Sequence, residues 1–297
     1  MNRSIEVVRT IYPRLPDIPN QHTLTYLTTL ESKERAFIDK AKTPRIRYLR
    51  ALYLKGLHYF GHSRFSPGDL PRPMRLKMTE ELGEDKSLAD ILKINPAEKS
   101  KVVIKVREFT GFKRYFRVDR SIVESHLVQG VAAEEGNLLP IANATIQWFR
   151  NQFIELPEFG FIMNIAERAL SISNTNIQDR LFKRLDLKTQ NKLDSLLDSG
   201  AGPSPFEHLK GDAKKPTPIT IQAELERVRQ TFVYIPEIHM LKELSRRKVE
   251  EFAEIGKQYT AAELGQLNDP ARMTILMCFL KIRRAQLLDP ISLMAWR

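Results

Sequence analysis

Apolar residues recur at three- and four-residue spacing through most of this chain, and strand-like alternation is rare. That spacing lines up apolar side chains along one side of a helix, so the pattern predicts an all-α protein. Helices are predicted at about Ser32–Lys40, Pro44–Gly61, Arg72–Gly83, Ser87–Lys93 and Ala97–Thr110. In the second of these, Ile46, Leu49, Tyr53, Leu57 and Phe60 share a stripe, which leaves Arg47 and Arg50 together on an accessible flank near Arg45. In the last, Val102, Val106 and Phe109 form a stripe expected to be buried, while Lys101 and Lys105 project from another face. Gly111 is placed to end that helix.

A second helical group runs from Arg120 to Ser199, with Leu138–Ile154, a long helix over Glu158–Leu185, and Lys188–Leu197. A third occupies Ile219–Leu288, where Asp269-Pro270 reads as a cap followed by a first-turn proline. The apolar run ISLMAW after Asp289-Pro290 reads as an interrupted element. Pro13, Pro16 and Pro19 mark an extended arm, and SGAGPSPFEHLKGDAKKPTP after Leu197-Asp198 has the composition of a linker. The expected organisation is tandem small helical modules followed by a helical linker or assembly domain. Residues 1–20 form the arm, 21–118 a basic module, 119–199 a second module and 200–218 the linker. Residues 219–297 form a helical domain, expected to be incomplete at its C-terminal end. At 297 residues the chain exceeds one ordinary core, and no internal repeat of fixed period divides it.

Composition narrows the classes. The single Cys278 lies in an apolar run, which excludes a disulfide framework and fits a reducing compartment. Met1–Tyr12 lacks the continuous apolar core of a secretory signal. Met273–Leu288 is interrupted by Lys281, Arg283 and Arg284 and is too short to span a bilayer. The expectation is a soluble intracellular protein with no membrane partner.

Charge changes the picture most. The first 120 residues hold 25 Lys plus Arg against 14 Asp plus Glu, whereas the remainder is balanced at 22 against 22. Between Lys40 and Lys77 ten bases face one acid, Asp69. Local excess of one sign is the usual footprint of a polyanionic partner, with nucleic acid the leading candidate. A solvated helix face explains most charge runs, but such faces normally intersperse acids. An anionic membrane is the other alternative, yet the stripe on the Arg45–Phe60 segment is better explained by core burial. A second basic stretch, Lys99–Arg120, interleaves Lys113, Arg114, Arg117 and Arg120 with Phe112, Tyr115 and Phe116. Rings that anchor a segment while its charges reach phosphates suit that composition.

Catalytic motifs are not found. The chain has no Gly-rich phosphate loop, no Gly-x-Ser-x-Gly and no Cys/His cluster. His58 and His62 sit four apart, a spacing compatible with metal, but the Glu and third ligand of a zinc protease are missing and the pair reads as incidental.

Taken in order, these landmarks resemble the N-terminal half of replicative transposases of the Tn-three family, from class II bacterial transposons. The resemblance runs through the acid-containing Glu34–Ile38 segment, RIRYLRALYLKGLHYFG, and the Pro-punctuated Phe65–Pro73 loop. The Arg107-Glu108-Phe109-Thr110-Gly111-Phe112 element follows, with Phe109 where the family usually has His. Then come Ile154-Glu155-Leu156-Pro157 leading to Glu167-Arg168, the LDLKTQNKLDSLL segment, Leu225-Glu226-Arg227-Val228, and RMTILMCFLKIRRAQLLD. The resemblance implies sequence-specific binding to the terminal inverted repeats of a transposon, in a bacterial, nucleoid-associated, cytoplasmic setting. It implies double-stranded DNA as partner and homodimerisation through the later helices as an option. The family's catalytic region carries an Asp-Asp-Glu site for two Mg²⁺ ions in an RNase-H-like sheet, and this chain is expected to bind DNA without it. No cofactor is then expected here. Phosphate contacts are assigned to Arg45, Arg47, Arg50, Lys55, Lys101, Lys105, Lys113, Arg114 and Arg117. A helical protein-interaction scaffold or regulator that binds no DNA is the alternative.

Overall fold

The computed structural model describes residues 11–13, 20–200, 202–211, 218–234 and 239–295. The arm expected over residues 1–20 therefore lies mostly outside the described residues, as do the end of the linker and Trp296-Arg297. Among the described residues the fold is all-α, with fifteen α-helices and no strand. The described residues fall into two compact units. One runs to Val123 and takes in Ala142–Ile165, and the other comprises Glu124–Ile141 and the residues from Ala166 onward.

The first unit is built on α1 (Gln21–Thr28), α2 (Ser32–Asp39), α3 (Pro44–Phe60), α4 (Arg72–Leu82) and α5 (Pro96–Thr110). Helix α3 packs against all the others. Its ends follow from local chemistry: Thr43 accepts the Ile46 N–H, Pro44 opens the first turn, and Gly61 closes it at φ 70°. Its middle departs from the expected single stripe. Tyr48, Leu49, Ala51, Leu52, Tyr53, Leu54, Gly56 and Leu57 are all buried, so α3 is enclosed on nearly every side. Gly56 is the point of closest approach, where an added Cβ would lie 2.1 Å from Cζ of Phe65. Phe65 in turn stacks on Tyr53 at 4.8 Å.

Three further departures stand out. The predicted Ser87–Lys93 helix is a 3₁₀ turn, Lys86–Asp90, opened by the Asp85 side chain accepting the Ser87 N–H. Phe109 is 39 % exposed rather than buried, because α5 ends one residue later and the ring extends onto α2, where it stacks on Phe37 at 4.3 Å. Helix α8 (Leu138–Asn151) stops short of Ile154, and Phe153 turns the chain at φ 52°. Helices α6 (Arg120–Gln129), α7 (Val131–Glu134) and α9 (Phe159–Phe182) complete this middle region.

The second unit contains α10 (Leu187–Asp194), α11 (Pro205–Lys210), α12 (Pro218–Tyr234), α13 (Arg246–Gln258), α14 (Ala261–Gly265) and α15 (Asp269–Ala295). Met273–Leu280 of α15 are buried without a break, and α13, α12 and α10 pack along it. Helix α15 also continues through Asp289-Pro290, so the run read as interrupted belongs to the same helix. Its start is bonded by Asn268, whose side chain accepts the Ala271 N–H at 2.9 Å, rather than by Asp269. Helix α11 corrects the linker reading. Ser204 caps it, Pro205 opens it, and Phe206 and Leu209 are fully buried in the core. One buried cation is fully engaged there: Lys248 donates to Asn174 Oδ1 and to Glu251 Oε2 at 2.9 Å.

Candidate nucleic-acid interface

The basic run on α3 is the first candidate, and most of its charge is already engaged within the fold. Arg45 forms a forked pair with Glu98 at 2.9 and 3.0 Å. That bond raises the Arg45 pKa and lowers that of Glu98. Arg47 donates to Glu84 at 2.6 Å. Arg50 donates to the Phe37 carbonyl at 3.2 Å and lies 5.2 Å from that residue's ring centre. Lys55 reaches Glu34 at 2.6 Å, with both side chains nearly out of water. Glu34 also accepts the Glu31 N–H at 2.8 Å, closing a capping box on α2. The flank expected to be open for Arg47 and Arg50 is therefore occupied by Glu84, just past α4, and by the α2 backbone at Phe37, while Glu98 of α5 takes the neighbouring Arg45. The remaining nominated residues differ. Lys101 and Lys113 are exposed and make no ion pair among the described residues. Lys105 has only an exposed partner, Glu108 at 2.7 Å. The side chain of Arg117 lies outside what is described.

The Lys113–Arg120 stretch is organised differently. Lys113 is held at both backbone groups: its N–H donates to the Phe153 carbonyl and its carbonyl accepts the Glu155 N–H, each at 2.8 Å. This isolated parallel bridge with Ile154 is the one β-type pairing among the described residues. The next residues of the same step secure α3, since the Leu156 N–H donates to the Gly61 carbonyl at 2.7 Å. Behind it, Arg107 joins Glu155 at 2.8 Å and Ser63 at 2.9 Å in a largely buried network. Ile154-Glu155-Leu156 thus clamps the end of α3 and the basic-aromatic segment together.

On that frame three guanidinium groups lie against three rings. Arg64 is 5.7 Å from the Tyr115 ring, Arg114 5.5 Å from Phe116, and Arg120 5.6 Å from Phe161. Tyr115 links the set, packing on Phe116 at 6.0 Å and on Phe161 at 5.7 Å. Phe116 is 63 % exposed. Arg64 spends one donor on the Tyr12 hydroxyl at 3.3 Å, and Tyr12 donates to the Pro157 carbonyl at 3.1 Å. Burial raises the Tyr12 pKa, keeping the phenol protonated. The Arg64 N–H donates to Nδ1 of His62 at 3.2 Å, which requires a neutral imidazole with its proton on Nε2. Burial first, then Arg64, push the His62 pKa down to about 4. A guanidinium resting on a ring keeps its fork of donors fixed, an arrangement suited to phosphate oxygens, and Arg120 already spends one nitrogen on the backbone and side chain of Asn164.

Arg114 was nominated from the sequence; Arg64, Arg120 and Phe161 were not. Arg64 lies in the basic run but past the end of α3, and Phe161 is 41 residues from Arg120, so only folding brings them together. His58 and His62 do not form a ligand pair, because α3 ends between them at Gly61. Among the described residues no three His, Cys, Asp or Glu are grouped to hold a metal ion. No described helix is long and apolar enough to cross a membrane.

The matched family covers the whole of this arrangement. The chain belongs to the family described as Domain of unknown function (DUF4158), whose model matches residues 7–169. The match spans Tyr12, the α3 core, the Lys113 bridge and Phe161. None of the curated proteins compared matches the chain.

Proposed function

We propose that this chain is the DNA-binding portion of a replicative transposase of the Tn-three family, recognising the terminal inverted repeats of its element. The observation that carries the reading is the set of three arginines stacked on Tyr115, Phe116 and Phe161 and held by the Lys113–Ile154 bridge. It lies in the part of the chain that holds the excess positive charge. Phosphate contacts from Arg64, Arg114 and Arg120, with Lys101 and Lys113, supply affinity that salt weakens. Strand cleavage and joining, with their Mg²⁺, are assigned to a separate catalytic region. The helices of the second unit, with their balanced charge, serve assembly, including pairing of two copies. Action on DNA places the protein at the bacterial nucleoid, in the cytoplasm.

One observation favours a rival reading as a protein-interaction scaffold: Arg45, Arg47 and Lys55 are neutralised by the fold's own acids. The two are separated by titrating the full chain into fluorescent duplexes carrying the repeats that flank its gene, and into scrambled duplexes, between 50 and 200 mM salt. Binding whose log K falls linearly with log salt, and which favours the repeats, is expected. Absence of binding to any duplex at the lowest salt leaves the scaffold.

A further inference from the structure

A cavity of about 500 Å³ opens between the end of α1, the start of α2, the second half of α3 and the end of α5. Its walls include two unusually accessible rings: Tyr26, 73 % exposed, and Phe109. Phe109 is the outer member of a layered stack. Arg50 lies 5.2 Å from the Phe37 ring centre, and Phe37 lies nearly parallel to Phe109, at 8° and 4.3 Å. One face of Phe109 is thus backed by a ring and a cation, while the residue borders the open cavity. The charges around the cavity are mostly settled. Glu34 is taken by Lys55, with His58 3.5 Å away, and Glu31 caps α2. Lys33 is the cavity's remaining cation, exposed and without an ion pair among the described residues. An aromatic wall, room for a small ligand and one exposed ammonium without an ion pair among the described residues suit a flat ring joined to an anion.

We propose that this cavity receives one nucleotide unstacked from DNA, its base lying against Phe109 and Tyr26 and its phosphate on Lys33. The proposal rests on the DNA-binding reading above. It adds that the protein opens or traps an unpaired position rather than reading an intact duplex alone. Extrusion is least costly where the base is mismatched or already unpaired, so the preferred substrate is a duplex with an unpaired nucleotide near the bound end.

The test uses the full chain and two probes: the 5′-monophosphate of 2-aminopurine deoxyriboside, and a duplex carrying one unpaired 2-aminopurine. Saturable quenching of the mononucleotide, competed by dAMP, is expected. Tyr26→Ala and Phe109→Ala should each weaken it roughly ten- to a hundredfold, and Lys33→Gln should weaken the nucleotide but not the nucleoside. Tyr26→Phe should retain binding, because the ring face and not the hydroxyl is what meets the base. Circular dichroism and duplex affinity of the variants report their folding. If ordinary duplexes bind while both probes behave as in free solution, the cavity assignment is wrong and the DNA-binding reading survives. If the mononucleotide binds while no duplex does, the cavity stands as a nucleotide site and the DNA-binding reading falls. If neither binds, both are overturned.

Discussion

Two groups of basic residues in the first unit predict opposite phenotypes. Lys55→Met removes the partner of Glu34, whose side chain is only 7 % exposed. Breaking a buried pair from one side costs about 3–5 kcal/mol, because the remaining charge stays desolvated. For a domain of about 150 residues, 1 kcal/mol moves Tm by about 2–4 °C, so a fall on the order of 10 °C is expected. His58 supplies an internal check. Burial lowers its pKa and Lys55 lowers it further, while Glu34, 3.5 Å away, pulls the other way. Without Lys55 the imidazole protonates more easily and restores a cation beside Glu34, so the variant's deficit should shrink on acidification from pH 8 to 5.5. Arg64→Ala with Arg114→Ala makes the converse case. Each stack is at least partly open to solvent and contributes about 0.5–1 kcal/mol, so Tm should move by a few degrees only. Two lost phosphate contacts lower the slope of log K against log salt by about 1.8, so the affinity change between 50 and 200 mM salt shrinks roughly tenfold. Scanning calorimetry and duplex anisotropy on the same samples measure both. A Lys55→Met variant that keeps its Tm but loses salt dependence, or an arginine double variant with an unaltered slope, refutes the assignment.

Other substitutions test the packing directly. Gly56→Ala gains about 1 kcal/mol of helix propensity. The new Cβ would meet Cζ and Cε1 of Phe65 at 2.1 and 2.5 Å, a clash of about 1–3 kcal/mol. A lower denaturation midpoint is therefore expected, and a raised one contradicts the packing. Burial pushes the Cys278 thiol up to about 12, so a thiol reagent at pH 8 should label the chain only as it unfolds; rapid stoichiometric labelling of native protein contradicts the core. His62 is neutral when folded, with a pKa of about 4 against an ordinary 6.5. The unfolded state therefore binds more protons between those values. Stability is complete above pH 6.5 and declines as pH falls toward 4, by at most about 3 kcal/mol. His62→Gln should flatten that decline in pH-dependent denaturation, and an unchanged profile removes His62 as its cause.

Much of the fold was legible because helix ends are written locally. Thr43-Pro44, Gly61, Gly83 and Gly111 stand where α3, α4 and α5 begin or stop, each for a reason confined to a few residues. What escaped depends on distant partners. The run from Lys40 to Lys77 looks unopposed, but Glu34, Glu84 and Glu98 lie just outside it in sequence and beside it in space. The composition of residues 200–218 conceals α11, since Gly and Pro punctuate the stretch while Ser204-Pro205 and the pair Phe206 and Leu209 decide the structure. Phe109 has the spacing of a core residue but stands where α5 runs out of neighbours on its own side.

The Ile154–Pro157 step shows why one marker of the family resemblance is a structural device. In an all-α unit, backbone groups outside helices still need partners, and a loop that carries function cannot leave them to water if it is to hold one shape. Here the step provides them in succession. Phe153 and Glu155 take both backbone groups of Lys113, and Leu156 takes the last carbonyl of the α3 turn at Gly61. Glu155 also draws Arg107 behind the loop. The arginines that follow Lys113 are consequently mounted on a backbone fixed from two sides and on rings fixed by one another. Ordering costs that a mobile basic loop would meet on binding DNA are already met in folding. Guanidinium forks held in fixed positions suit phosphates at set spacings, and the salt-dependent duplex titration separates that role from preorganised arginine anchors for a protein partner.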